Sequence, residues 1–252
     1  MISVLPLQNK PSTGLSRVAT IYFTLVNTRN LPAAVLWDMD GTLVDTEPYW
    51  FAAERELVGS FGHEWTREEG SRLIGSGLWD SAAVLQAHGV TLSADQIVEW
   101  LSNRVCEHLS EGEIPWRPGA QKLLAELRES AIPTALVTMS IRSMAEKIVS
   151  HIPFLAFDVV VAGDDVEKPK PHPEAYLQAA SKLGVAIEDC VAFEDSLTGL
   201  RSAVDSGAVV IGVPHLVPIP QSREHTVWTT LAGRSLADLS TLWQSQQAGG
   251  EI

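Results

Sequence analysis

The chain predicts an α/β fold: a parallel sheet core covered by helices, with a small all-helical unit inserted after the first strand. Three observations carry this expectation. Four short apolar runs give way to polar residues, and a fifth ends at Pro214. Amphipathic segments at helical spacing lie between the later runs, so strand and helix alternate. Residues 46–117 break the alternation, with helical patterns and no strand-like run.

Taken in order, the first element to explain is residues 1–30. Val18 to Val26 is apolar apart from two threonines and the Tyr22 hydroxyl, and Arg17 precedes it. No small-residue cleavage site follows before Pro32, so the stretch reads as a poorly ordered extension rather than a secretory leader. Ala33–Trp37 is the first strand, followed at once by Asp38-Met39-Asp40-Gly41-Thr42. Carboxylates at i and i+2 share one side if the strand conformation persists, and the glycine lets the backbone turn away. Buried paired carboxylates are costly unless a cation or proton shares them, and a hard divalent ion such as Mg2+ suits oxygen ligands.

Helices are expected over Pro48–Phe61, Leu78–His88 and Ser93–Leu109, the last opened by a capping box of Ser93 and Gln96. Five of the eight tryptophans fall in this region and read mostly as its own core. A helix over Gln121–Ser130 presents Leu123, Leu124 and Leu127 on one face. The second strand, Pro133–Val137, ends at Thr138-Met139-Ser140, and the third, Phe157–Val161, leads into Gly163-Asp164-Asp165. Helix Pro173–Leu183 precedes strand Cys190–Phe193, which ends at Glu194-Asp195-Ser196. Helix Ser196–Ser206 and strand Ala208–Val213 close the series. The expected division is an extension (1–30), a core (31–45 and 118–252) and a helical cap (46–117).

Bulk composition narrows the partners. The 252 residues are 45% hydrophobic and 19% charged, with a net charge of −13 from 31 acidic and 18 basic side chains. A basic footprint is lacking, which argues against DNA, RNA and anionic membranes as partners. No run of about 18 apolar residues suggests a spanning helix. Cys106 and Cys190 fit no CxxC pattern and read as reduced thiols of a cytoplasmic protein, expected to be a monomer.

In a parallel sheet, ligands sit beyond the carboxyl ends of the strands, so the polar tails above converge on one edge. Asp38 could attack phosphorus, and a second carboxylate two residues on could shuttle the proton. Glu194-Asp195 could complete a metal's oxygen shell. Lys168 or Lys170 could hold the transferring oxygens, and Thr138 with the amides after it offers a phosphate seat. Each has a plain alternative: a helix N-cap, a solvated turn, a charged loop. Their joint placement at successive strand ends favours a site.

These residues resemble a known family. Asp38-Met-Asp40-Gly41-Thr42-Leu43-Val44-Asp45-Thr46-Glu47 is similar to the first motif of the haloacid dehalogenase-like hydrolase superfamily. Thr138 stands where the second motif has Thr or Ser, and Lys170-Pro171-His172-Pro173-Glu174-Ala175-Tyr176 matches the KPxPxxY form of the third. Glu194-Asp195-Ser196-Leu-Thr-Gly199 matches the fourth, and the resemblance spans Val35 to Val213. Within the superfamily the chain resembles the subgroup of beta-phosphoglucomutase and sugar-phosphate phosphatases.

The resemblance implies a Rossmann-like core with the helical insertion as a cap domain, Mg2+ and an aspartyl-phosphate intermediate. It makes Asp38 the nucleophile, Asp40 the general acid/base, and Thr138 and Lys170 further catalytic residues. Metal ligands would be Asp38, the Asp40 backbone carbonyl and Asp195, with Glu194 as ligand or support. Thr42, Met139, Ser140, Trp50 and Arg72 are candidate substrate-binding residues. Trp50 stands where the mutase has a histidine, and Leu78 where it has a cap arginine, for which Arg72 could substitute. The expected activity is a Mg2+-dependent phosphatase of a small phosphorylated metabolite, a sugar or polyol phosphate. The rivals are a phosphosugar mutase and a non-catalytic metabolite-binding protein on the same fold.

Overall fold

Four β1 residues alternate between two hydrophobic clusters, and that alternation fixes the architecture. In the computed structural model, which describes residues 30–110 and 114–249, β1 is Ala34–Trp37. Val35 and Trp37 belong to one cluster, Ala34 and Leu36 to the other, and none is exposed. A strand buried on both faces belongs in the middle of a parallel sheet covered by helices on each side.

The sheet joins β1 to β2 (Thr134–Val137), β3 (Val159–Val161), β4 (Cys190–Glu194), β5 (Val209–Gly212) and β6 (Thr226–Val227). The order is β3-β2-β1-β4-β5-β6, and every pairing is parallel. β1 has β2 on one side and β4 on the other, so the strand order reverses at β1, where such sheets open a crevice. Trp37 pairs with Leu136 and Phe193, and its ring stacks on Phe193 at 4.5 Å. This register carries Asp38, Thr138 and Glu194 to the same edge.

Between β1 and the segment Ile114–Trp116 lie four helices among the described residues: α1 (Glu47–Ser60), α2 (Arg67–Ser71), α3 (Leu78–Ala87) and α4 (Ala94–Ser110). α4 packs against both α1 and α3. The chain enters and leaves this helical unit side by side, where Asp45 N donates to Pro115 O (2.7 Å) and Arg117 N to Leu43 O (3.0 Å). The remaining helices are α5 (Ala120–Glu129), α6 (Arg142–Val149), α7 (Glu174–Leu183), α8 (Leu197–Ser206) and α9 (Leu236–Gly249).

The helices and strands expected from sequence are present, with ends shifted by a residue or two. α2, β6 and α9 were not expected. α2 is too short to show a hydrophobic period and is held by a capping box between Thr66 and Glu69. β6 is two residues long and exists by pairing with β5. Both cysteines are free. Among the described residues no helix is long and apolar enough to cross a membrane. The expected extension over residues 1–30 lies, except for Asn30, outside the described residues.

Candidate active site

Asp38 stands one residue past β1, its backbone N–H still donating to Phe193 O across to β4 (3.1 Å). Its carboxylate is buried, and its two oxygens differ. Oδ1 accepts from Lys170 Nζ at 2.8 Å, while Oδ2 is buried with no partner among the described residues. Lys170 arrives from the loop before α7 and is itself 4% exposed. Its ammonium also donates to Glu194 Oε1 (2.6 Å) and to the Val137 carbonyl (2.9 Å). Burial disfavours the charge on Lys170, but Asp38 and Glu194 outweigh it and hold the pKa above the ordinary lysine value.

Glu194 closes β4 and is fully buried. Oε1 also accepts from the Tyr176 hydroxyl at 2.6 Å, whereas Oε2 is buried without a partner among the described residues. Its carboxylate lies against the first turn of α8, and a Cβ on Gly199 would fall 2.0 Å from Oε2. Asp195 follows, 4% exposed, and a Cβ on Gly41 would fall 2.0 Å from its Oδ2. The two motif glycines therefore leave the space in which the carboxylates sit, and Gly41 (φ +83°) also needs a left-handed backbone.

Asp38, Glu194 and Asp195 each offer an oxygen within 4.8 Å of the others. Burial, then the Glu194 charge, pushes the Asp38 carboxyl up to about 7, against the lowering effect of Lys170. Burial and the Asp38 charge push Asp195 well above the usual carboxylate range. Three buried carboxylates crowd one ammonium, which pairs with only two of them, and two of their oxygens have no partner among the described residues. That donor set fits a hard divalent cation.

Asp40 turns away from this cluster. Its carboxylate accepts from the Thr46 hydroxyl, Trp50 Nε1 (3.1 Å), the Thr138 hydroxyl (3.2 Å) and the Ser140 hydroxyl (2.7 Å). These donors come from both sides of the crevice. Ser140 N donates in turn to Thr138 Oγ1 (3.0 Å), folding the loop after β2 into a tight turn.

A cavity of about 570 Å³ opens over these groups, enclosed by the core edge and the helical unit. Asp38, Asp40, Trp50, Met139, Ser140, Lys170 and Asp195 all line it. Thr138 and Glu194 lie just beneath, fully buried and bonded to wall residues. Two expected residues are not brought there. Thr42 is fully buried in the turn after β1, and its hydroxyl has no partner among the described residues. Arg72 caps the C-terminus of α2, pairs with Glu68 at 2.7 Å, and lines a separate depression with Trp65, Asp80 and His88. Closeness to Leu78 in sequence did not carry over, because the turn after α2 sends Leu73 and Ile74 to the cavity and Arg72 outward.

The guanidinium that does reach the cavity belongs to Arg67, five residues earlier, lying over the Phe51 ring at 5.7 Å. Two acids on α1 were also missed. Glu47 lines the cavity, and burial followed by the Asp40 charge pushes it up to about 8. Glu54 lines it two turns on, buried beside Trp65. Its spacing from Glu47 and Trp50 on one helical face was the available signal. Lys168 is exposed and takes no part.

Comparison with known proteins agrees with this geometry. The model of a family described as haloacid dehalogenase-like hydrolase matches residues 35–213. A phosphorylated carbohydrates phosphatase of Thermotoga maritima is 32% identical over 72% of the chain and 85% of its own length. A bifunctional riboflavin kinase/FMN phosphatase of Arabidopsis thaliana is 28% identical over 75% of the chain, which spans half of that protein. The solved structure of CbbY from Rhodobacter sphaeroides in complex with phosphate superposes with a TM-score of 0.76 and 31% identity, covering 83% of this chain and 99% of that one.

Proposed function

The chain belongs to the haloacid dehalogenase-like hydrolase family, and on that premise we propose that this phosphoric monoester hydrolase is a Mg2+-dependent phosphatase of a small sugar or polyol phosphate. In this reading residues 31–45 and 118–252 form the catalytic core and residues 46–117 its cap. The observation that carries it is Asp38: one oxygen held by Lys170, the other buried and unpaired, at the floor of a cavity large enough for a small metabolite.

The Asp38 carboxylate is the proposed nucleophile. It attacks phosphorus, the bond to the leaving oxygen breaks, and the phosphoryl group rests on Asp38 as an acyl phosphate. Asp40 gives the leaving oxygen its proton, then takes one from the water that hydrolyses the acyl phosphate. Lys170, the Thr138 hydroxyl and the amides of Met139 and Ser140 hold the transferring oxygens. Asp38, the Asp40 carbonyl and Asp195, with Glu194 as ligand or support, would hold Mg2+. Bound there, it would neutralise the charge that otherwise sets an anionic nucleophile against an anionic substrate.

The phosphatase reading is preferred to the mutase because the carbohydrate relative is named as a phosphatase. The cavity's lining cations are also only Lys170, which serves the reacting phosphate, and Arg67 at the cap. The test is phosphate release from a panel of sugar and polyol monophosphates with Mg2+, after EDTA, and after Mg2+ is restored. Activity that survives exhaustive chelation would remove the metal. Exchange between sugar 1- and 6-phosphates faster than phosphate release would favour the mutase.

A further inference from the structure

We propose that Glu54 selects the leaving group, by hydrogen bonding to hydroxyls on the substrate carbons far from the phosphate. The assignment rests on the phosphatase reading above and names the residue that would set its preference.

Among the described residues of 46–117, Glu54 is the only charged side chain that is buried, at 6% exposure. Among the described residues no cation pairs with it. Oε2 accepts from Trp65 Nε1 at 2.9 Å, and Oε1 makes no hydrogen bond among the described residues, although the residue lines the cavity. Gly70 leaves room for the group, since a Cβ there would lie 3.1 Å from Oε2. A carboxyl held out of water without a cation is costly, and a satisfied indole does not require one. The cost is intelligible if the second oxygen serves a ligand.

Its distance from the reaction suits that role. Glu47, Trp50 and Glu54 follow at i, i+3 and i+7 on one face of α1, and Trp50 donates to Asp40. At about 1.5 Å rise per residue, Glu54 stands roughly 6 Å along the helix beyond Trp50, the length of a short carbon chain. The wall around it is largely apolar, with Phe51, Leu73, Leu78 and Leu101. Among the described residues of 46–117, the other buried polar side chain that lines the cavity is Ser81, whose hydroxyl makes no hydrogen bond among the described residues. A leaving group with hydroxyls at its far end would find two partners and little competition. Burial also pushes the Glu54 carboxyl up to about 7, so it can both donate and accept, which suits neutral hydroxyls.

The experiment compares kcat/KM for a six-carbon sugar phosphate with kcat/KM for p-nitrophenyl phosphate, which has no hydroxyl to read. The readout is their ratio, in the parent protein, Glu54→Ala and Glu54→Gln. The ratio should fall roughly 10- to 100-fold in Glu54→Ala, the range of a hydrogen bond to a charged group, mainly through KM for the sugar phosphate. Glu54→Gln keeps an acceptor for Trp65, should melt near the parent, and should lower the ratio less. It decides the matter if the alanine variant does not fold. An unchanged ratio in a folded Glu54→Gln and Glu54→Ala overturns the assignment, as does an equal loss on both substrates. A parent preference for amino-substituted phosphates that Glu54→Ala abolishes would replace hydroxyl by ammonium recognition. No hydrolysis of either substrate by the parent would instead overturn the phosphatase reading, and this assignment with it.

Discussion

Replacing Lys170 by methionine keeps most of the stem and removes the one positive charge among three buried carboxylates. Asp38 Oδ1 loses its partner, and Glu194 Oε1 keeps only the Tyr176 hydroxyl. Breaking a buried ion pair from one side costs about 3–5 kcal/mol, or about 6–20 °C in melting temperature for a chain of this size. The cost should depend on pH, and its sign can be worked out. Asp38 is raised from 3.8 to about 7 in the fold, chiefly by burial. The folded state therefore holds a proton that the unfolded chain releases, and stability falls as pH climbs through that window. Without the lysine that lowers Asp38, the window extends higher. In EDTA-treated protein, the melting gap between Lys170→Met and the parent should widen from pH 5 to pH 8, by calorimetry or circular dichroism. Turnover should fall about 100-fold or more, as for loss of a group that holds transferring oxygens. A gap that is constant with pH, or under about 1 kcal/mol throughout, would refute the reasoning, since Lys170 would then not be balancing the carboxylates.

The remaining predictions follow from the same cluster. Asp38→Asn should end turnover yet raise the melting temperature of the EDTA-treated protein at pH 8 by a few degrees, about 1 kcal/mol, because a repelling charge is gone; a lower melting point would contradict it. Gly199→Ala should destabilise by about 1–3 kcal/mol and weaken Mg2+ binding, measured by titration calorimetry, because its methyl group would displace Glu194. Lys168→Ala should change kcat/KM less than twofold, since Lys168 is exposed; a large loss would mean the motif register is shifted by two.

Much of this site was legible in the sequence, for a definite reason. Asp38, Thr138 and Glu194-Asp195 are tied to the ends of apolar runs, and a parallel sheet brings such ends together whatever the loops do, whereas Lys170 lies on the loop before α7 and was legible only through its motif. The choice of Lys170 over Lys168 came from the aromatic position six residues on, and Tyr176 shares Glu194 with Lys170. The helical unit was less legible. Glu47, Trp50 and Glu54 share one face of α1, but which face meets the cavity depends on what packs opposite, so the shared face alone did not mark the two acids. Arg72 and Arg67 lie at opposite ends of a five-residue helix, too short for periodicity to tell which end faces the cavity. Thr42 follows the motif glycine, yet the turn buries it.

The claim on which the rest depends is that Asp38 carries the phosphoryl group. The direct measurement is to mix the protein with Mg2+ and substrate, quench in acid during turnover, and reduce with borohydride, which converts an acyl phosphate to the alcohol. Peptide mass spectrometry should then find Asp38 reduced, only when substrate and metal are both present, and no other carboxylate altered. Phosphate release with Asp38 intact, or reduction at a different residue, would contradict the account.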